Sequence, residues 1–232
     1  LNGSTESGVL YLVSTPIGNL EDITLRALRT LKEVTFIAAE DTRRTGKLLK
    51  HFDIQNRLES YHDHNKKGKT PKFIHQLSKG DSIAVVTDAG TPGISDPAFY
   101  LVREAVKQKI NVISVPGATA ALTALTVSGL PTDRFVFEGF LPTKKGRKKR
   151  LGSLAQEHRT IILYEAPHRL LRTLTDLDTF LEERDIAICR ELTKKFEEVT
   201  RGSIKEMISE FSQRKILGEF VLIIKGKEKK KL

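Results

Sequence analysis

Along this chain, short unbroken apolar runs alternate with longer stretches in which apolar residues return every three or four positions. The runs VLYLVS (9–14), VTFIAA (34–39), SIAVVT (82–87) and NVISV (111–115) have the length and β-branched content of buried strands. After the first, TLRALRTLKEV sets Leu25, Leu28 and Leu31 at helical spacing behind Thr24, whose hydroxyl suits a helix N-cap. RRTGKLLKHF and PAFYLVREAVKQ read as helices in the same way, ATAALTALTVSG as another, and RLESY as a weak strand. In TPKFIHQLSKG the pattern predicts a helix capped by Thr70, begun by Pro71 and stopped by Gly80. Strands alternating with helices predict a mostly parallel sheet with helices on its faces.

GLPTD (129–133) punctuates the chain and reads as a linker between an N-terminal α/β domain over 9–128 and a C-terminal one over 134–226. In the second half, RFVFEGF is a strand, and the loop LPTKKGRKKR runs into a helix reaching Glu157. RTIILYE (159–165) is a strand, and PHRLLRTLTDLDTFLEE a helix started by Pro167. DIAICRE (185–191) and FEEVTRGS (196–203) read as neighbouring strands, IKEMISEFSQR as a helix and GEFVLIIKG as a closing strand. This mixture predicts a second α/β domain whose sheet is partly antiparallel.

Composition narrows the class. Hydrophobic residues make up 39% and charged residues 29% of the 232, an ordinary globular balance that argues against disorder. No apolar run approaches the roughly 20 residues that span a bilayer. The opening LNGSTESG is small and polar, and reads as a frayed end rather than a secretory signal. The single cysteine, Cys189, excludes an internal disulfide or a cysteine-based metal cluster and fits a reducing cytoplasm. His62 and His64 in YHDHN form the only close histidine pair and a weak metal candidate; no metal is expected. The formal net charge is +10, and basic clusters recur at NKKGK, TKKGRKKR and KGKEKKK, the last running into a basic tail after Gly226. Cations gathered in separate segments point to a polyanionic partner, nucleic acid ahead of a membrane surface.

The turns after the first-half strands share a character. TPIGN follows the first, EDTRR the second, DAGTPGISD the third and PGATA the fourth. In a parallel sheet all of these lie at the carboxyl edge, where open α/β sheets bind ligands. Glycines admit close approach of the backbone and prolines fix the loops, so the set reads as a small-molecule site. In the second half IILY runs into EAPHR and AIC into RELTKK, placing Glu165, His168, Arg169, Arg190 and Glu191 at strand ends. Phosphate-loop, dinucleotide, nucleophile-elbow and zincin signatures are absent from the sequence.

VSTPIGNLEDITLRAL, AAEDTRRTGKLL, VTDAGTPGISDP, VPGATAALTAL, EGFLP, YEAPHRL and CRELTKKFEE, in this order, closely resemble the bacterial ribosomal RNA small subunit methyltransferase I family of the tetrapyrrole methylase superfamily. The resemblance runs from about Val9 to Gly226. It implies two α/β domains with a cofactor cleft between them, S-adenosyl-L-methionine as methyl donor, 2′-O-methylation of a decoding-centre cytidine in 16S ribosomal RNA, and a homodimer. Superfamily relatives carry Gly-Asp-Pro after the third strand. Here Gly90-Thr91-Pro92 stands in its place, with Ile94 in the aliphatic position and Asp88 as the nearby acid. The resemblance puts Ala118, Thr119 and Ala120 along the adenosyl pocket and Pro16 and Gly18 in the turn after the first strand.

Methyl transfer from a sulfonium is an in-line displacement, for which positioning supplies up to roughly 7–11 kcal/mol. A ribose hydroxyl is a weak acid, so a general base adds roughly 10²–10⁴-fold. Glu40, Asp41, Glu165 and His168 are the candidate bases, with Glu165 or His168 preferred, and Lys194 is a candidate cation. Against Glu165 stands its spacing of four residues from Arg169, which suits an ion pair. Arg43, Arg44 and Arg169 suit RNA phosphates, as do Lys144, Lys145, Arg147, Lys148, Lys149 and Arg150. Aromatic residues are 6% of the chain and tryptophan is absent, so recognition by base stacking is expected to be sparse. The rival readings are a methyltransferase acting on a corrinoid or porphyrin precursor and a non-catalytic RNA-binding ribosome-assembly module.

Overall fold

A computed structural model describes residues 7–228; the polar start and the lysines at 229–231 of the basic tail lie outside the described residues. The chain divides into two compact units, 1–119 and 120–232.

The first unit is a five-stranded, wholly parallel sheet in the order β3-β2-β4-β1-β5. Its strands are β1 (Val9–Val13), β2 (Phe36–Ala39), β3 (Leu58–Ser60), β4 (Ile83–Val86) and β5 (Asn111–Val115). Every residue of β2 and β4 is buried, as a strand covered by helices on both faces requires. Two apolar clusters form those covers. Phe36, Phe73, Leu77, Leu101 and Ile83 belong to one, and Leu31, Ile37, Leu49 and Ala84 to the other. Each Leu or Ile so buried contributes about 1.5–3 kcal/mol. The crossover helices are α1 (Leu25–Glu33), α2 (Thr42–His51), α3 (Lys66–Ser78) and α4 (Ala98–Lys107). Thr24 caps α1 as expected, accepting the Ala27 N–H at 3.1 Å.

Helix α3 departs from the expectation. It starts at Lys66, behind Asn65, so Pro71 lies inside it and Thr70 is not a cap. Asn65 makes this earlier start possible: its Oδ1 accepts the His62 N–H and its Nδ2 donates to the Ser60 carbonyl, so the entering chain is fixed. Thr70 instead is buried and shares a 2.9 Å hydrogen bond with the Tyr61 hydroxyl.

The second unit opens with helix α5 (Ala120–Val127), which packs on the sheet strands β7 (Thr160–Glu165) and β10 (Phe220–Ile224). The sequence reading ended the first domain at Ser128. The earlier division follows from burial of Ala121, Ala124 and Leu125, together with the contact of the Cys189 thiol with the Ala124 carbonyl. The sheet also contains β6 (Phe135–Phe140), β8 (Asp185–Arg190) and β9 (Glu198–Ser203), in the order β6-β7-β10-β8-β9. β6 and β7 are parallel; β10 runs antiparallel to both β7 and β8, and β8 antiparallel to β9. The mixed sheet thus matches the expectation, and the strand GEFVLIIKG lies at its centre. Helices α6 (Arg147–Leu154), α7 (Leu170–Leu181) and α8 (Ile204–Ser212) supply Leu151, Leu174, Leu177 and Phe211 to one continuous core. Pro167 starts a short 3₁₀ turn through Arg169 that leads into α7. Among the described residues no helix is long and apolar enough to cross a membrane.

Candidate functional site

In the first unit the loops at the carboxyl edge are tied to one another. Thr15 and Gly90 exchange two backbone hydrogen bonds, of 2.9 and 3.1 Å, joining the loop after β1 to the loop after β4. The Ser14 and Thr91 hydroxyls lie 3.0 Å apart, and Thr91 also donates to the Ala118 carbonyl at 3.2 Å, bringing in the loop after β5. Gly117 passes so close to β1 that a Cβ there would stand 2.9 Å from the Ser14 Cβ. Asp96 closes its own loop by accepting from the Gly93 and Ala98 N–H groups at 2.6 and 2.7 Å. Burial holds its carboxyl above the ordinary range.

The loop after β2 joins the same edge. Glu40 accepts from the Thr87 hydroxyl at 2.7 Å, and Asp88 accepts from the Asp41 N–H at 3.0 Å. Burial, reinforced by the Glu40 charge, raises the Asp88 carboxyl above its usual value. Arg44 stands 3.3 Å from it. The structure thus brings together Glu40, Asp41, Arg44, Asp88, Gly90, Thr91 and Ala118. Pro16, Gly18 and Ile94 occupy the same loops, and Thr119 closes the unit. Ala120 is the first residue of α5, in the second unit.

This edge suits a small organic ligand with an apolar part. Ile94 is 47% exposed in the middle of a glycine-bearing loop, although it is aliphatic. A Cβ at Gly93 would meet nothing within 4 Å. Open space above a loop whose backbone is pinned from several sides is what close docking of a ligand requires.

Asp41 is a poorer base than the sequence suggested. Its Oδ1 caps α2 by accepting the Arg43 N–H at 2.8 Å, and both carboxylate oxygens take the Arg43 guanidinium. Those hydrogen bonds hold its carboxyl far below the usual carboxylate range. The Arg43 side chain is 87% exposed while making this fork.

In the second unit, two expected roles give way to a buried polar network. Arg147 is 4% exposed. It donates to Asp176 Oδ2 (2.7 Å), the Pro142 carbonyl (3.1 Å) and the Thr173 hydroxyl (2.8 Å). Thr173 in turn donates to Glu165 Oε2 at 2.5 Å. Glu165 is 3% exposed, and its Oε1 accepts the Ala166 N–H and faces Arg169 Nε at 3.2 Å. Arg169 also donates to the Leu141 carbonyl. Arg147 and Arg169 are therefore turned inward to hold residues 141–147 against α7, rather than toward a phosphate. Glu165 pairs with Arg169 directly and meets Arg147 only through Thr173, and it is shielded from solvent, which disfavours it as a base. His168 is exposed, in the turn before α7.

Lys144, Lys145, Lys148 and Lys149 stay exposed, and none makes an ion pair with a described residue. Arg150 pairs with Glu138. The first turn of α6 holds Arg147, Lys148, Lys149 and Arg150 and no acid, so its cations stand against the helix dipole. Lys194 is held between Glu191 and Glu219, each at 2.9 Å. Burial lowers its pKa, but these bonds outweigh that and raise it. Cys189 is buried and its thiol pushed up to about 11, which makes it unreactive. Among the described residues no three histidines, cysteines or acids gather in a way that holds a metal; the His62 and His64 rings meet edge to face, and His62 Nε2 lies 3.2 Å from Asn65 Nδ2.

Ser14, Thr15, Asp96, Glu138, Thr173 and Asp176 escaped the sequence reading. Only Asp96 left a signal, as an acid placed just before Pro97 and a helix.

Comparison with known proteins fits this geometry. The family model described as Tetrapyrrole (Corrin/Porphyrin) Methylases matches residues 9–208. A ribosomal RNA small subunit methyltransferase I from Synechocystis sp. is 58% identical over 221 residues, covering 94% of this chain and 79% of that protein. One from Halalkalibacterium halodurans is 53% identical over 226 residues, 97% of this chain and 78% of that protein. A Thermus thermophilus uroporphyrin-III C-methyltransferase, solved in complex with S-adenyl homocysteine, superposes with a TM-score of 0.68 at 18% identity, over 94% of this chain and 97% of that one. The loop set built from Ser14, Gly90, Thr91 and Gly117 is thus carried on a tetrapyrrole methylase fold, and the chain belongs to the ribosomal RNA small subunit methyltransferase I family of the tetrapyrrole methylases.

Proposed function

We propose that this chain methylates 16S ribosomal RNA of the small subunit with S-adenosyl-L-methionine as donor, at the ribose 2′-hydroxyl of a decoding-centre cytidine. The observation that carries the reading is identity of 58% and 53% to ribosomal RNA small subunit methyltransferase I proteins across nearly the whole chain. The exposed lysines at 144–149 support a polyanionic substrate. A ribosomal substrate places the work in the cytoplasm. Phe99 and Val106, exposed seven residues apart on α4, supply an apolar face for a homodimer.

The donor supplies an electrophilic methyl carbon on a cationic sulfur. The chain's part is to hold and orient. Gly90, Thr91 and Ile94, with Pro16 and Gly18, form one wall of the donor site, and Ala118, Thr119 and Ala120 the adenosyl side. The Ser14–Thr91–Ala118 hydrogen bonds keep that wall from relaxing, which is where positioning enters the rate. Lys144, Lys145 and Lys148 draw in the RNA backbone. With Glu165 and Asp41 committed to arginines, His168 and Glu40 are the candidates to take the hydroxyl proton.

The test is methyl transfer from labelled S-adenosylmethionine to small subunits lacking the modification, followed by nucleoside analysis. The expected product is 2′-O-methylcytidine. Label on a base, label only in a tetrapyrrole precursor, or RNA binding with no transfer would each overturn the proposal.

A further inference from the structure

We infer that the groove between β6 and α6 receives one nucleotide of a single-stranded RNA segment, with the base against Phe140 and the adjoining phosphate against Lys149 and Arg150. This deepens the ribosomal RNA reading above and rests on it.

The groove has a volume of about 470 Å³, and Glu138, Phe140, Pro142, Lys149, Arg150 and Ser153 line it. That is within the range of pockets that hold small organic groups, roughly 300–1,000 Å³. Phe140 is 53% exposed although it ends a sheet strand. Its exposure comes from a local device. β6 pairs with β7 in register through Phe137, then skips Glu138 and resumes at Gly139. Gly139 has φ +61, a conformation that favours glycine. A bulge of this kind re-aims the side chains beside it. The Phe140 ring is backed by Tyr164 at 5.7 Å, edge to face, and Tyr164 by Phe137 at 5.0 Å, so the exposed ring is held rather than loose.

The bulged residue itself completes the groove. Glu138 pairs with Arg150 and so fixes that guanidinium at the rim, while Lys149 makes no ion pair with a described residue. A backed aromatic ring next to two cations answers a ligand with a π face and an anionic link, which is the make-up of a nucleotide. The cations standing against the dipole of α6 gain from an anion there as well. An acidic peptide would use the charges and leave the ring unstacked.

The chain contains no tryptophan, so Phe140→Trp would carry the only indole in the protein. Its fluorescence should be quenched by a short single-stranded oligoribonucleotide, and not by an abasic ribose-phosphate strand of equal length or by poly-glutamate. In methyl-transfer assays Phe140→Ala should raise KM for RNA by roughly 5- to 100-fold. It should leave kcat and S-adenosylmethionine affinity unchanged, and Phe140→Tyr should restore KM. RNA that binds with the indole unquenched, quenching by poly-glutamate, or an unchanged KM in Phe140→Ala overturns this inference alone. Failure of the unaltered protein to bind RNA at all overturns it together with the reading it rests on.

Discussion

Arg147 sits within a run of cations that reads as an RNA grip, yet it is wired into the interior, and the two roles lead to opposite outcomes on mutation. Arg147→Met keeps the stem and removes the guanidinium, taking away the donors to Asp176, Thr173 and the Pro142 carbonyl. Breaking a buried ion pair from one side costs about 3–5 kcal/mol. Asp176 retains 31% side-chain exposure and can be rehydrated by water, which brings the figure toward about 2–3 kcal/mol. For a unit of this size each kcal/mol shifts Tm by about 4 °C or more, so the second unit should melt on the order of 10 °C earlier. Lys148→Ala, next to it but exposed, should leave Tm unchanged. It should weaken RNA binding and flatten its salt dependence by about one phosphate contact. Differential scanning calorimetry and RNA titration over a range of salt concentrations read both quantities. Arg147→Met that melts like the parent while losing RNA affinity would refute the structural role.

The remaining predictions concern the loops, the proton and acid stability. Gly117→Ala places a Cβ 2.9 Å from that of Ser14, so the loop must shift; a cost of about 1–3 kcal/mol is expected, with loss of S-adenosylmethionine affinity by calorimetry. Wild-type affinity in this variant would remove Gly117 from the site. Asp41→Asn should retain methyl transfer, whereas His168→Ala or Glu40→Gln should lose roughly 10²–10⁴-fold in kcat if either takes the proton; a collapse in Asp41→Asn would reverse that assignment. Glu157 is depressed to about 2, chiefly by hydrogen bonds from the Arg159 side chain and backbone. A depressed carboxylate stabilises above its unfolded pKa and loses that contribution as pH falls through its folded one. Glu157→Gln should therefore lower stability by about 1 kcal/mol at neutral pH, after solvent screening, and the difference should vanish between about pH 4.5 and 2. Chemical unfolding of both proteins across that range provides the check.

The first sheet was readable because its strands are continuous apolar runs and Thr24 is a local cap, signals that need no tertiary information. The start of α3 was not, since it depends on Asn65 bonding back to Ser60 and forward from His62, and a proline six residues later misleads. The extent of the first unit was hidden because AALTAL is apolar on most sides and does not reveal which sheet it will cover. Arg147 looks like its neighbours in sequence; only Thr173 and Asp176, one turn apart on α7, distinguish it. The loops as a set were legible from composition at strand ends, but their mutual wiring through Ser14 and Thr15 was not, because a hydroxyl at the end of a strand is commonplace. The Glu138 bulge was invisible for a similar reason, as only the pairing with β7 creates it.

Strand β10 bears on how the protein is made. It is the last described strand in chain order, yet it fills the slot between β7 and β8. The first unit holds all the strands of its own sheet by Val115 and can mature early in synthesis. The second must wait, with two open flanks on neighbouring strands, until Phe220–Ile224 emerges from the ribosome. A chain stalled before that segment would be half finished and sticky, so truncation ahead of Phe220 should appear as insoluble protein rather than as an inactive enzyme.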